Sequence, residues 1–263
     1  MLATLLALSV CLTCAAQDPA RERLEASPRH HEWVRLERGE RELACFVAFP
    51  EVAGKAPAVL VIHENKGLTD WVRSVTDRLA EEGYIAIAPD LLSGMGPEGG
   101  RTDSFASTDA ATQALYALEP EQVLADLDAA ADHATKLAAC DGTLFVAGFC
   151  WGGSRSFQYA TRRKGLKAAF VFYGSAPTED EALARIASPV HGFYAENDAR
   201  VNASLEATIE AMARLEKTFT KQVFVGAGHG FMRAGEGQDA KPGNASAMAD
   251  AWKRWLELLQ AAR

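Results

Sequence analysis

Gly148-Phe149-Cys150-Trp151-Gly152-Gly153 is the stretch that decides the fold. It follows the apolar run Thr143-Leu144-Phe145-Val146-Ala147 and precedes Ser154 to Tyr159, which reads as the first turns of a helix. A strand, a tight Gly-x-nucleophile-x-Gly turn and a helix form the arrangement that lifts one side chain into an exposed, strained position. Gly148 and Gly152 leave room where a Cβ would meet the neighbouring strand and helix. The lifted residue is Cys150. A thiol has a reference pKa near 8.5, and an adjacent imidazole favours its thiolate.

Two later stretches complete the pattern. Asn197-Asp198 follows the apolar run Pro189 to Phe193, and Gly228-His229-Gly230 follows Lys221 to Val225. Each places a catalytic residue type just after a predicted strand. The chain order nucleophile, acid, histidine is the one expected of α/β-hydrolases and differs from other triad folds. In this reading His229 takes the thiol proton, and Asp198 holds the imidazole in the useful tautomer.

The rest of the chain fits one α/β domain. It has 263 residues, 48% of them hydrophobic, with a formal net charge of −8. No Lys/Arg cluster exceeds Arg162-Arg163-Lys164, which disfavours nucleic acid as a partner. No CxxC or His/Cys spacing suggests a metal, and the chemistry calls for no cofactor. Cys45 and Cys140 lie in apolar surroundings, and whether they pair is left open by the sequence.

Residues 1–16 read as an export leader with cleavage near Ala16, placing the protein in the periplasm or outside the cell; lipidation of Cys14 is the second reading. This run is too short to span a bilayer. Residues 17–39 read as a flexible lead-in and 40–263 as the catalytic domain.

Strands are predicted over 41–49, 58–63, 84–89, 143–147, 168–173, 189–193 and 221–225, and helices over 70–82, 120–139, 201–219 and 244–262. Residues 93–108 are predicted to form a loop near the site. Alternating strands and helices give a doubly wound, mostly parallel sheet with helices on both faces, whose ligands bind at the C-terminal strand ends.

With these residues in view, the chain resembles the dienelactone hydrolase family over about residues 40–260. The resemblance rests on His63-Glu64-Asn65-Lys66-Gly67-Leu68, Ala88-Pro89-Asp90-Leu91, Gly148 to Gly153, Phe172-Tyr173-Gly174, Asn197-Asp198 and His229 to Arg233. It implies a Cys150–Asp198–His229 triad. It also implies that Glu64 contacts the resting thiol and swings away when substrate arrives. Arg233 would pair with Glu64 and help bind a substrate carboxylate, and Tyr173 would belong to the same thiol-modulating group. The oxyanion donors should be the backbone N–H groups of Trp151 and Asn65. One departure concerns specificity. Family members proper carry a further carboxylate-binding arginine after Pro-Asp-Leu, whereas Leu92 to Gly96 contains no basic residue and none occurs before Arg101.

The expected activity is cysteine-dependent hydrolysis of small carboxylic esters, lactones or thioesters. The alternatives are a peptidase or acyltransferase of the same fold, an inactive binding protein, and a thiol redox protein.

Overall fold

The computed structural model describes residues 18–263. The leader and Cys14 lie outside the described residues.

Eight strands form one sheet in the order β1-β2-β4-β3-β5-β6-β7-β8. The strands are β1 (His31–Arg38), β2 (Arg41–Ala48), β3 (Ala56–Ile62), β4 (Ile85–Pro89), β5 (Cys140–Phe149), β6 (Leu166–Phe172), β7 (Val190–Asn197) and β8 (Phe219–Gly228). The β1–β2 and β2–β4 pairs are antiparallel, and the remaining neighbours are parallel.

Period-2 alternation divides the core between the two faces. Ala58, Leu60 and Ile62 of β3 join one apolar cluster, while Val59 and Val61 join the other. Both faces are covered, so β3 is buried at every position and reads as an unbroken apolar run. One cluster is covered by α3 (Thr108–Tyr116), α4 (Pro120–Lys136), α5 (Trp151–Ala160) and α8 (Leu205–Arg214). The other is covered by α1 (Pro19–Ala26), α2 (Asp70–Glu81) and α10 (Pro242–Ala261). Helix α2 places Trp71, Val72, Val75 and Leu79 on one buried stripe, and the chain leaves it through Gly83 in the left-handed region.

The lead-in at 17–39 is corrected by the structure. Residues 19–26 form α1, capped by the Asp18 carboxylate on Ala20 N–H with Pro19 in the first turn. Residues 31–38 pair with β2 along their whole length, across a tight turn at Gly39 with φ 65°. The charged residues of β1 occupy an exposed sheet edge, where charge discourages pairing with other chains, and so they resemble a linker in sequence. Buried Asp77 ties this segment down. It accepts hydrogen bonds from Ser27 Oγ, Arg29 Nε and Nη2, and His31 Nε2 at 2.6–2.7 Å.

Smaller corrections concern helix ends. The helix predicted over 201–219 is two helices, α7 (Ala199–Asn202) and α8, and residues 215–218 turn into β8. The loop predicted over 93–108 is followed directly by α3, a helix absent from the sequence reading, which begins at Thr108 with Ser107 as its N-cap. Short helices α6 (Asp180–Ala184) and α9 (Phe231–Ala234) carry too little periodicity to be read. Cys45 and Cys140 are both free and buried, and burial pushes both thiols up, so neither is a reactive thiol.

Candidate active site

β5 ends at Phe149 and α5 begins at Trp151, so Cys150 alone forms the turn, with φ 56° and ψ −115°. This is an unfavourable region for a residue bearing a Cβ. The surroundings hold it there. Cys150 N–H donates to Phe172 O at 3.0 Å, and the helix and strands meet backbone to backbone. A Cβ on Gly148 would lie 2.0 Å from Gly152 O, and one on Gly152 would lie 2.4 Å from His63 O.

Two further strand ends converge on this turn. Asp198 follows β7 and is buried, with its Oδ1 accepting from Val201 N–H at the start of α7. His229 follows β8, where Gly228 N–H is held by Asn244 Oδ1 at 2.8 Å. His229 Nε2 lies 3.1 Å from Cys150 Sγ, and its Nδ1 lies 2.5 Å from Asp198 Oδ2. The three side chains singled out in the sequence are thus in one hydrogen-bonded line. The hydrogen bond with Cys150 holds the imidazole pKa up to about 8, against burial and with help from Asp198.

That shift has a consequence for stability. His229 binds its proton more tightly in the fold than at its ordinary value near 6.5. Its contribution is therefore fully present below about pH 6.5 and is lost as pH rises through about 8. Because His229 is about one-third exposed, the gap in unfolding free energy between wild type and His229→Gln should shrink by only about 1 kcal/mol over that window. Urea melts at several pH values measure it, and a constant gap would contradict it.

Glu64 and Arg233 also meet here. Arg233 Nε donates to Glu64 Oε2 at 2.8 Å, with the glutamate side chain buried and the arginine more open. Arg233 lies in α9. Tyr173 sits at the end of β6 in a left-handed conformation, φ 41°, with its ring edge-on to His229 at 5.1 Å. Burial, with Glu64 and Cys150 nearby, raises its phenol pKa well above normal, so Tyr173 stays neutral.

The amides of Asn65 and Trp151 have no hydrogen-bond acceptor among the described residues. The loop carrying Asn65 is fixed by residues to which the sequence reading gave no role. His63 Nδ1–H donates to Glu64 O at 2.7 Å, while its Nε2 accepts from Leu91 N–H. Burial lowers the His63 pKa and keeps it neutral, as this arrangement requires. Its ring stacks on Trp151 at 5.9 Å. Thr112 Oγ1 donates to Asn65 O, and Thr102 Oγ1 links Leu68 N–H to buried Asp90. His63 and Asp90 stood in the quoted motifs without a role, whereas Thr102 and Thr112 carry no sequence signal.

Cavity size does not locate this site. A cavity of about 770 Å³ lies between the β1–β2 turn and the loop after β4, and none of Cys150, Asp198 or His229 lines it.

An eight-stranded, mostly parallel sheet with a strained turn after β5 defines an α/β-hydrolase fold. The profile of the dienelactone hydrolase family matches residues 43–263, and the chain belongs to that family. A Salmonella typhi protein named as a carboxymethylenebutenolidase is 33% identical over 229 residues, covering 82% of each chain. A protein of the same description from Escherichia coli K12 is 32% identical and covers 78% of this chain and 76% of its own. The crystal structure of a dienelactone hydrolase-type protein from Klebsiella pneumoniae superposes with a TM-score of 0.76 at 26% identity, covering 88% of this chain and 98% of that one. The chain is a hydrolase.

Proposed function

We propose that this hydrolase cleaves small carboxylic esters, lactones or thioesters through an acyl-cysteine intermediate. The observation that carries the reading is the line Cys150 Sγ–His229–Asp198, with spacings of 3.1 and 2.5 Å. Cys150 Sγ attacks the carbonyl carbon as its proton passes to His229 Nε2. The developing oxyanion is held by the Trp151 and Asn65 amides. Collapse breaks the carbon–oxygen or carbon–sulfur bond, and His229 returns the proton to the leaving group. Water, deprotonated by His229, then attacks the thioester, releasing the acid and restoring the thiol. Asp198 holds the imidazole tautomer and offsets its charge. Lactones enter the list because relatives are named as butenolide hydrolases.

A panel of aryl esters, lactones and thioesters, assayed before and after stepwise alkylation with iodoacetamide, tests the reading. Turnover of at least one class should fall in proportion to labelling of Cys150. Full turnover by fully labelled enzyme would overturn it.

Glu64 acts in this reading by neutralising Arg233: its carboxylate accepts from Arg233 Nε and, contrary to the contact expected with the resting thiol, makes no hydrogen bond to Cys150 among the described residues. Glu64→Gln frees the positive charge of Arg233 next to Cys150. Alkylation at pH 6–7 should then be faster by roughly three- to tenfold, with the pH profile moved to lower pH. An unchanged profile would remove Glu64 from the thiol's control.

A further inference from the structure

The family profile begins at residue 43, so α1 and β1 lie ahead of the region it matches. Helix α1 nevertheless reaches the segment that follows His229. Arg23, in its last turn, has Nη1 3.6 Å from Oε1 of Glu236, and Arg78 Nη1 of α2 donates to the same oxygen at 3.3 Å. The Glu236 side chain is only 10% exposed; burial raises its carboxyl pKa, and the two arginines oppose that rise. A buried carboxylate stays where its cations are, because leaving them strands a charge away from water.

Glu236 stands just past α9. Its N–H donates to Arg233 O at 3.2 Å, and Arg233 Nε donates to Glu64 Oε2 at 2.8 Å. At the start of the same turn, Ala234 N–H donates to Gly230 O, one residue after His229. Gly235 lies against α10, where an added Cβ would be 2.5 Å from Asn244 O. Arg78 in turn lies over the Trp252 ring of α10 at 3.7 Å. A single helical turn such as α9 does not hold itself in place, so its anchors decide where Arg233 and His229 stand. Buried Phe231 and Met232 fix its depth in the core, and Glu236 adds a directional tie to α1 and α2.

We infer that Arg23 and Glu236 are positioning residues, by which α1 holds α9 and, through it, the Arg233–Glu64 pair and His229 in the arrangement that the Cys150 thiol requires. This rests on the Cys150 hydrolase reading. It gives a segment outside the matched region a part in the reaction without contact with substrate. Releasing the tie loosens the contact between Arg233 and Glu64, leaves the arginine charge less neutralised and so favours the thiolate. Loss of the Arg23 charge acting only through space would do the reverse, because it takes a cation away from the thiolate.

The test sets Arg23→Gln against Arg21→Gln, a change of the same charge on the same helix at a residue paired with Glu25. Alkylation of Cys150 by iodoacetamide at pH 6–7 should be about two- to threefold faster in Arg23→Gln, with its profile moved to lower pH. For an ester that wild type hydrolyses, kcat should fall roughly fivefold with KM within about twofold, the scale of a small displacement of catalytic groups. Arg23→Lys should recover most of both effects. Glu236→Gln should move both in the same directions, and adding Arg23→Gln to it should change neither further, because the two residues share one tie. The Arg23 side chain is 37% exposed, so its variants should keep the fold, which thermal melts check. Alkylation needs no turnover: a wild type that hydrolyses nothing would defeat the Cys150 reading and leave the alkylation arm to decide this inference. A profile in Arg23→Gln that is unmoved, moved to higher pH or matched by Arg21→Gln would overturn it, as would effects that add in the double variant.

Discussion

Cys150→Ala should lower kcat/KM for any ester the enzyme hydrolyses by roughly four orders of magnitude, because the group that forms the covalent bond is gone. Its fold should be unaffected. Cys150 is only partly buried, and its backbone strain comes from the turn, which alanine shares. Cys150→Ser should recover little. An alcohol needs stronger base assistance than a thiol, and His229, whose pKa is held up to about 8, is placed to pair with sulfur. Steady-state kinetics with thermal melts of both variants measure this. Turnover of Cys150→Ala within tenfold of wild type would remove Cys150 as nucleophile.

Gly148→Ala should damage both stability and activity while removing no polar group of the site. The added methyl would lie 2.0 Å from Gly152 O and 2.4 Å from Gly152 C, both backbone atoms that no rotamer change can move. The start of α5 must shift, and Cys150, Trp151 and the oxyanion amide shift with it. Overpacking against backbone should cost about 3 kcal/mol or more. A displacement of about 1 Å at the nucleophile should cost on the order of 100-fold in kcat. Gly54→Ala is the matched control, since its Cβ would meet nothing within 4 Å. That substitution should stay within about 0.5 kcal/mol. Urea melts and kinetics of the pair measure both effects. A Gly148→Ala protein as stable and active as Gly54→Ala would show that the close backbone approach is unnecessary.

The sequence carries the site better than it carries the edges of the fold. Cys150, Asp198 and His229 were legible because each occupies a strand-to-loop junction, and a buried parallel strand announces itself as an apolar run such as Val59 to Ile62. β1 was not legible. Its residues His31 to Arg38 line an exposed edge, where half the positions are charged for reasons of solubility and not of flexibility. The anchors of α1 and β1 were hidden for another reason. Asp77 lies 46–50 positions along the chain from Ser27, Arg29 and His31, and no local pattern reports a bond across that distance. The same holds for Thr112 on Asn65 and Thr102 on Leu68. These contacts fix the loop that the mechanism uses, yet they are single threonines whose partners are set by the tertiary fold.

The claim at the centre of this account is that the acyl group passes through the Cys150 sulfur. Mass spectrometry of the intact protein and its peptides, after millisecond mixing with a 4-nitrophenyl ester and acid quench, tests it most directly. The account predicts a gain equal to the acyl group, confined to the peptide bearing Cys150 and absent from Cys150→Ala. Rapid turnover with the acyl group on another residue, or with no adduct while Cys150→Ala turns over at the wild-type rate, would contradict it.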